Sequence, residues 1–173
     1  MHRRVFLSGM SCIGVGLGLG IVPFKAALAG ADEYDFVFTR LSYESGDWDV
    51  DERMPANLLN SLIEYTTLRV NTTEQVIALA DPAMLSVPFC YLAGRRLVQF
   101  NHAERENFSR YVNNGGFVFV DDCNHDIDGM FARSFEQQMA DLFGPDALQT
   151  LPNDHAIYRS FFEFDGPPNT SQE

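Results

Sequence analysis

Two short, almost wholly apolar runs constrain what this sequence can fold into more than anything else in it. Phe117-Val118-Phe119-Val120 begins directly after Gly115-Gly116 and ends in Asp121-Asp122. Residues 88–93 contain Phe89-Cys90-Tyr91-Leu92 and end at Gly94. Neither run alternates apolar with polar side chains. A strand of this kind is covered on both faces, as in a parallel sheet flanked by helices.

The rest of the sequence supplies the partners such a sheet needs. Residues 35–43, with Phe36, Val37, Phe38 and Leu41, read as a first strand, and residues 76–79 as a second, broken by Asp81-Pro82. Pro55 suits the first turn of a helix, and Leu58, Leu59, Leu62 and Ile63 recur at helical spacing. Asn101 followed three residues later by Glu104 has the form of a capping box, ahead of a face of Phe108, Tyr111 and Val112. Gly115-Gly116 ends that helix. Phe131, Phe135, Met139 and Leu142 mark a third helix, closed by Gly144-Pro145. Residues 148–151 and 161–164 read as further short strands. Strands alternating with helices predict an α/β fold: a three-layer parallel sheet with helices on both faces. The length, 173 residues, suits one domain, and 15 Phe give the core aromatic weight.

The first 29 residues read as an export leader. Arg3-Arg4 stands one residue before Phe6-Leu7, in the manner of twin-arginine signals. A weakly apolar, glycine-rich stretch over residues 12–24 follows, and Ala27-Leu28-Ala29 has the pattern of a cleavage site. Cleavage is expected after Ala29, which leaves residues 30–173 as the mature domain, periplasmic or secreted through the twin-arginine export machinery. An uncleaved leader would anchor it in the membrane instead. Three of the twelve cations (Arg3, Arg4 and Lys25) precede residue 30, so the mature part keeps nine against 24 acidic residues. An acidic protein without a basic patch is not expected to bind nucleic acid. Cys90 and Cys123 remain after the leader. They make no disulfide framework, and Cys90, within a strand, is expected to be a buried thiol.

Several segments, in this order, resemble the bacterial family catalogued as domain of unknown function 4159. They are Phe38-Thr39-Arg40-Leu41-Ser42-Tyr43, Gly46-Asp47-Trp48-Asp49-Val50-Asp51, Pro88-Phe89-Cys90-Tyr91-Leu92-Ala93-Gly94, Tyr111-Val112-Asn113-Asn114-Gly115-Gly116-Phe117, Asp121-Asp122-Cys123 and Asp154-His155-Ala156-Ile157-Tyr158. The resemblance implies a flavodoxin-like fold similar to class I glutamine amidotransferases, and no established activity. It also implies a domain running past Gly166-Pro167-Pro168, so a truncated C-terminus is expected. Arg95-Arg96 replaces the family's frequent His-Gly, and Ala156 replaces its usual Pro.

Ligands of open parallel sheets sit beyond the C-terminal strand ends, which makes Asp47, Trp48, Asp49, Arg95, Arg96, Asp121 and Asp122 candidate ligand-binding residues. Trp48 could stack on a ligand, and the two arginines could clamp a carboxylate or phosphate. Cys123, after a buried strand, is a candidate nucleophile with His125 or His155 as base. Its neighbours Asp122 and Asn124 are bulky for a nucleophile elbow, and nearby aspartates disfavour a thiolate. The His-x-Glu pair of amidotransferases is absent around His155. Asp121, Asp122 and His125, with Asp126 and Asp128 nearby, could hold a divalent metal, although their spacing matches no metal motif. The reading these residues favour is a ligand- or partner-binding, non-catalytic module of the cell envelope, taking a small molecule or a protein partner. The alternative is a hydrolase built on Cys123 or on a metal.

Overall fold

The structure, a computed structural model, describes residues 33–123 and 129–167. Within them, four strands form one parallel sheet: β1 Thr39–Ser42, β2 Gln75–Ala78, β3 Phe89–Gly94 and β4 Phe117–Asp122, in the order β2-β1-β3-β4. Helix α1 (Met54–Tyr65) joins β1 to β2, α2 (His102–Asn113) joins β3 to β4, and α3 (Met130–Phe143) follows β4. A short 3-10 turn, Pro82–Ser86, lies between β2 and β3. This is the expected α/β architecture, with a flavodoxin-like strand order.

Strand alternation divides the core. Phe38, Tyr91 and Ala93 pack with Leu59 of α1, while Leu41, Cys90, Leu92 and Val118 pack with Phe108 of α2 and with Phe131, Phe135 and Met139 of α3. The sheet thus carries α1 on one face and α2 with α3 on the other. The α1 face is an aromatic pavement. Phe89 stacks on Phe117 and Tyr91 on Phe119, each pair at 5.9 Å and each in register across β3 and β4. Such cross-strand pairs are the unit of sheet stabilisation.

The capping box at α2 forms as its spacing predicts. Asn101 Oδ1 accepts from Glu104 N at 3.0 Å, and Glu104 Oε2 accepts from Asn101 N at 2.8 Å. Gly115, at φ +85°, ends the helix in a conformation that disfavours a side chain. Gly94 is required by close approach, because a Cβ there would collide with Tyr43 and Phe131. Cys90 is buried and unbridged, and burial pushes its thiol up to about 11.

Two expected strands do not form. Residues 148–151 are irregular, and Phe161, Phe162 and Phe164 lie outside any strand, 63%, 56% and 41% exposed. An apolar run becomes a strand only where an edge accepts it, and neither segment pairs with the sheet among the described residues. Phe162 packs edge-on against Tyr65 at the end of α1 instead. The leader, His125, Asp126 and Asp128 lie outside the described residues. Within those residues, no helix is long and apolar enough to cross a membrane.

Phe108 is fully buried and touches Phe100, Phe135 and Phe143 with ring centroids at 5.4–6.3 Å. Phe108→Ala should lower stability by about 3–5 kcal/mol. Urea unfolding should then show an earlier midpoint with an unchanged slope.

Candidate functional site

β1 and β3 are neighbours whose following segments leave in opposite directions along the sheet, so the space beyond their C-terminal ends is the switch-point crevice. The loop after β1 (residues 43–53) and the loop after β3 (residues 95–101) are laced together there. Tyr43 Oη donates to Ala93 O at 3.0 Å. Glu44 N donates to Glu104 Oε1, and Asn101 Nδ2 to Glu44 Oε2, at 2.8 and 2.7 Å. Gln99 N donates to Ser45 Oγ at 2.8 Å. Arg95 N and Arg96 N both donate to Asp47 Oδ1, at 3.2 and 3.3 Å. The sequence points to Asp47 and to the arginine pair separately, and the fold brings them into contact.

The β1 loop is fixed from beneath by Arg40. This residue is 2% exposed. Its Nε meets Glu74 Oε2 at 2.9 Å, Nη1 donates to Val50 O at 2.8 Å and to Trp48 O at 3.3 Å, and its guanidinium lies 5.3 Å from the Tyr91 ring centre. Trp48 packs against the α2/α3 side of the core, which anchors the loop. Asp49 is exposed. Asp51 then takes φ +55°, a region Asp tolerates better than most residues, and its carbonyl accepts from Met54 N at 3.1 Å to start α1.

That bend brings Asp51 to Asp121 and Cys123. One ligand atom from each of the three lies within 4.8 Å of the others, all half-buried. The fully buried Tyr91 donates its hydroxyl to Asp121 Oδ2 at 3.1 Å, and its oxygen lies 3.8 Å from Cys123 Sγ. Cys123 N donates to Gly94 O at 3.1 Å, which continues the β3–β4 ladder. Burial, then the Asp121 charge, pushes the Cys123 thiol up to about 11. The Tyr91 hydrogen bond and the positive charge of Arg95 act the other way without reversing the shift. Burial also raises the hydroxyls of Tyr43 and Tyr91 above the usual phenol range.

Asp121 and Asp122, adjacent in sequence, stand on opposite faces of β4. Successive strand residues face opposite sides, so Asp121 joins Tyr91 on the α1 face. Asp122 stands opposite Gly94 in the ladder. His155 Nδ1 accepts from Ile157 N at 3.3 Å and caps its own short turn, Ala156–Arg159. Asp51, in contrast, is a site residue that sequence reasoning misses. Its only signal is membership in the Asp47–Asp51 run, which does not foretell a contact seventy residues away.

Arg40→Ala removes the donor shared by Glu74 and the loop carbonyls. It should cost on the order of 3 kcal/mol in urea unfolding and shift the emission of Trp48, the single Trp. Arg40→Lys, with one donor group in place of a planar fork, should recover only part of both.

Comparison with curated proteins finds no match to this protein. The family described as "Domain of unknown function (DUF4159)" matches residues 37–173, which takes in every strand and helix described above and the whole crevice. The chain belongs to that family.

Proposed function

We propose that this protein is an exported, non-catalytic, ligand- or partner-binding module of the cell envelope, similar in build to a class I glutamine amidotransferase but without a working nucleophile. The observation that carries this reading is the state of Cys123. A nucleophilic cysteine needs a lowered thiol pKa and a base. Here burial and Asp121 raise it to about 11. Its hydrogen-bonding neighbours among the described residues are the Tyr91 hydroxyl and the Asp121 carbonyl, neither of which is a base. Fixed hydrogen-bonding groups gathered at a switch point, with the thiol held protonated, favour binding over covalent chemistry. The Arg3-Arg4 leader supports the envelope location.

A second reading, a divalent cation at the same rim, is favoured by the convergence of Asp51, Asp121 and Cys123 within 4.8 Å. One titration separates the two. In a Cys90→Ser background, the rate of Cys123 alkylation is followed against pH, with and without a chelator. The binding reading expects a midpoint near 11 that the chelator does not move, and a lower midpoint in Asp121→Asn, where a like charge is removed. A chelator-sensitive midpoint indicates the cation. A midpoint below the ordinary thiol value of 9.0 overturns the non-catalytic reading. The stability linkage has a definite sign. The folded thiol titrates at about 11 against an ordinary value of 9.0, so its stabilisation is complete below pH 9 and is lost as pH rises through 11. Cys123→Ser should remove its share of the alkaline decline and leave the shares of Cys90, Tyr43 and Tyr91, which burial also raises.

Export is tested directly. Arg3→Lys combined with Arg4→Lys should leave the protein uncleaved in the cytoplasm. Unchanged appearance of the mature form in the periplasm would rule out the twin-arginine route.

A further inference from the structure

The crevice where an open parallel sheet takes its ligands is filled here by the protein itself. Asp47 Oδ1 receives the amides of both Arg95 and Arg96. Two successive backbone amides aimed at one oxygen make an anion-binding concavity. Both residues are exposed, and each carries a guanidinium.

Both bonds, at 3.2 and 3.3 Å, are long for N–H···O, which centres near about 2.9 Å. The loop does not depend on them. Its backbone is pinned before Asp47 by Glu104 on Glu44 N, and its Ser45 side group by Gln99 N. After Asp47, Arg40 holds the carbonyls of Trp48 and Val50. The Asp47 carboxylate can therefore leave the amides while the loop stays in place.

We propose that Arg95 and Arg96 form a carboxylate-binding site and that Asp47 is its internal surrogate, displaced when a ligand presents a carboxylate of its own. This rests on the binding reading and names the ligand's chemical class. The group already seated is a carboxylate. The same rim carries Asp49, Asp51 and Asp121, which disfavours a dianion such as phosphate. Asp47 also lowers the apparent affinity, because the site is open only in the fraction of molecules that have released it.

The test follows the Arg95 and Arg96 amides by NMR as acetate replaces chloride at constant ionic strength. In the native protein both amides should shift saturably. In Asp47→Ala the apparent affinity should rise about tenfold, as expected if the surrogate occupies the site roughly nine-tenths of the time. Asp47→Asn, which keeps an acceptor oxygen but no charge, should fall between. Arg96→Ala in the Asp47→Ala background should weaken acetate binding again. N-acetylglycylglycine run beside acetate identifies the source: equal affinity indicates a free small acid, and tighter binding of the dipeptide indicates the terminal carboxylate of a polypeptide. Amides that respond to acetate no more than to chloride, in the native protein and in Asp47→Asn, overturn the proposal. So does a response to phosphate without one to acetate. The native protein alone decides the matter if Asp47→Ala does not fold. A low alkylation midpoint for Cys123 would end the non-catalytic reading and leave this site standing.

Discussion

A buried guanidinium organises the upper half of this molecule. Arg40 gives up nearly all its contact with water, a cost of several kcal/mol for an isolated ion. The geometry around it offsets that cost: a carboxylate from Glu74, the carbonyls of Trp48 and Val50, and the face of the Tyr91 ring. Arginine suits the position because its planar fork reaches several acceptors in different directions and also lies over an aromatic ring. The residue sits in β1, its acid partner precedes β2, its carbonyl partners lie in the loop before α1, and the ring belongs to β3. One side chain thus ties together the elements that surround the crevice. The positive φ of Asp51 comes immediately after the tethered carbonyl of Val50, so the convergence of Asp51 on Asp121 and Cys123 follows from the Arg40 tether.

The electrostatics of the rim explain why a cysteine at a strand end is not by itself a nucleophile. Two acids, Asp51 and Asp121, converge on a half-buried thiol, and each opposes a further negative charge. The Tyr91 hydroxyl donates to Asp121 beside the sulfur. The positive charge on the rim comes from Arg95 and Arg96, and their amides are already turned to Asp47. The charge of Arg95 reaches the thiol as well, but it does not offset burial and the two acids. That balance does not favour a thiolate.

The sheet is legible in the sequence because burial on both faces leaves a mark: β3 and β4 are apolar runs closed by glycine or aspartate. The α2 capping box is legible because it is local, its two partners three positions apart. The rim is legible only as a set of strand ends. Which end meets which depends on strand order and on loop conformation, and neither leaves a periodic trace. Asp51 shows this most clearly, since its partners lie seventy residues on and its own backbone takes an uncommon conformation to reach them. The strand expected over residues 161–164 fails for the opposite reason. Three phenylalanines in four residues carry strong strand propensity, but propensity records how a side chain fits a pleated surface, and among the described residues no strand pairs with them.

The division of labour between the two sheet faces is a consequence of register. Along β3, Phe89, Tyr91 and Ala93 face α1, while Cys90 and Leu92 face α2 and α3. Along β4, Phe119 and Asp121 share the face of Tyr91, and Val118 lies on the other. The strand side groups that build the candidate site, Arg40, Tyr91 and Asp121, therefore stand on the α1 face. The opposite face keeps an apolar core with α2 and α3. A one-residue slip between β3 and β4 would bury Asp121 against the helices and turn Val120 towards the crevice. The pairings of Phe89 with Phe117 and of Tyr91 with Phe119 make such a slip costly, because both stacks would be lost at once. The aromatic pavement thus does more than fill the core. By fixing the register of β4 it decides that Asp121 and Cys123 arrive beside Tyr91 and Asp51, and so sets the chemistry of the rim from the middle of the sheet.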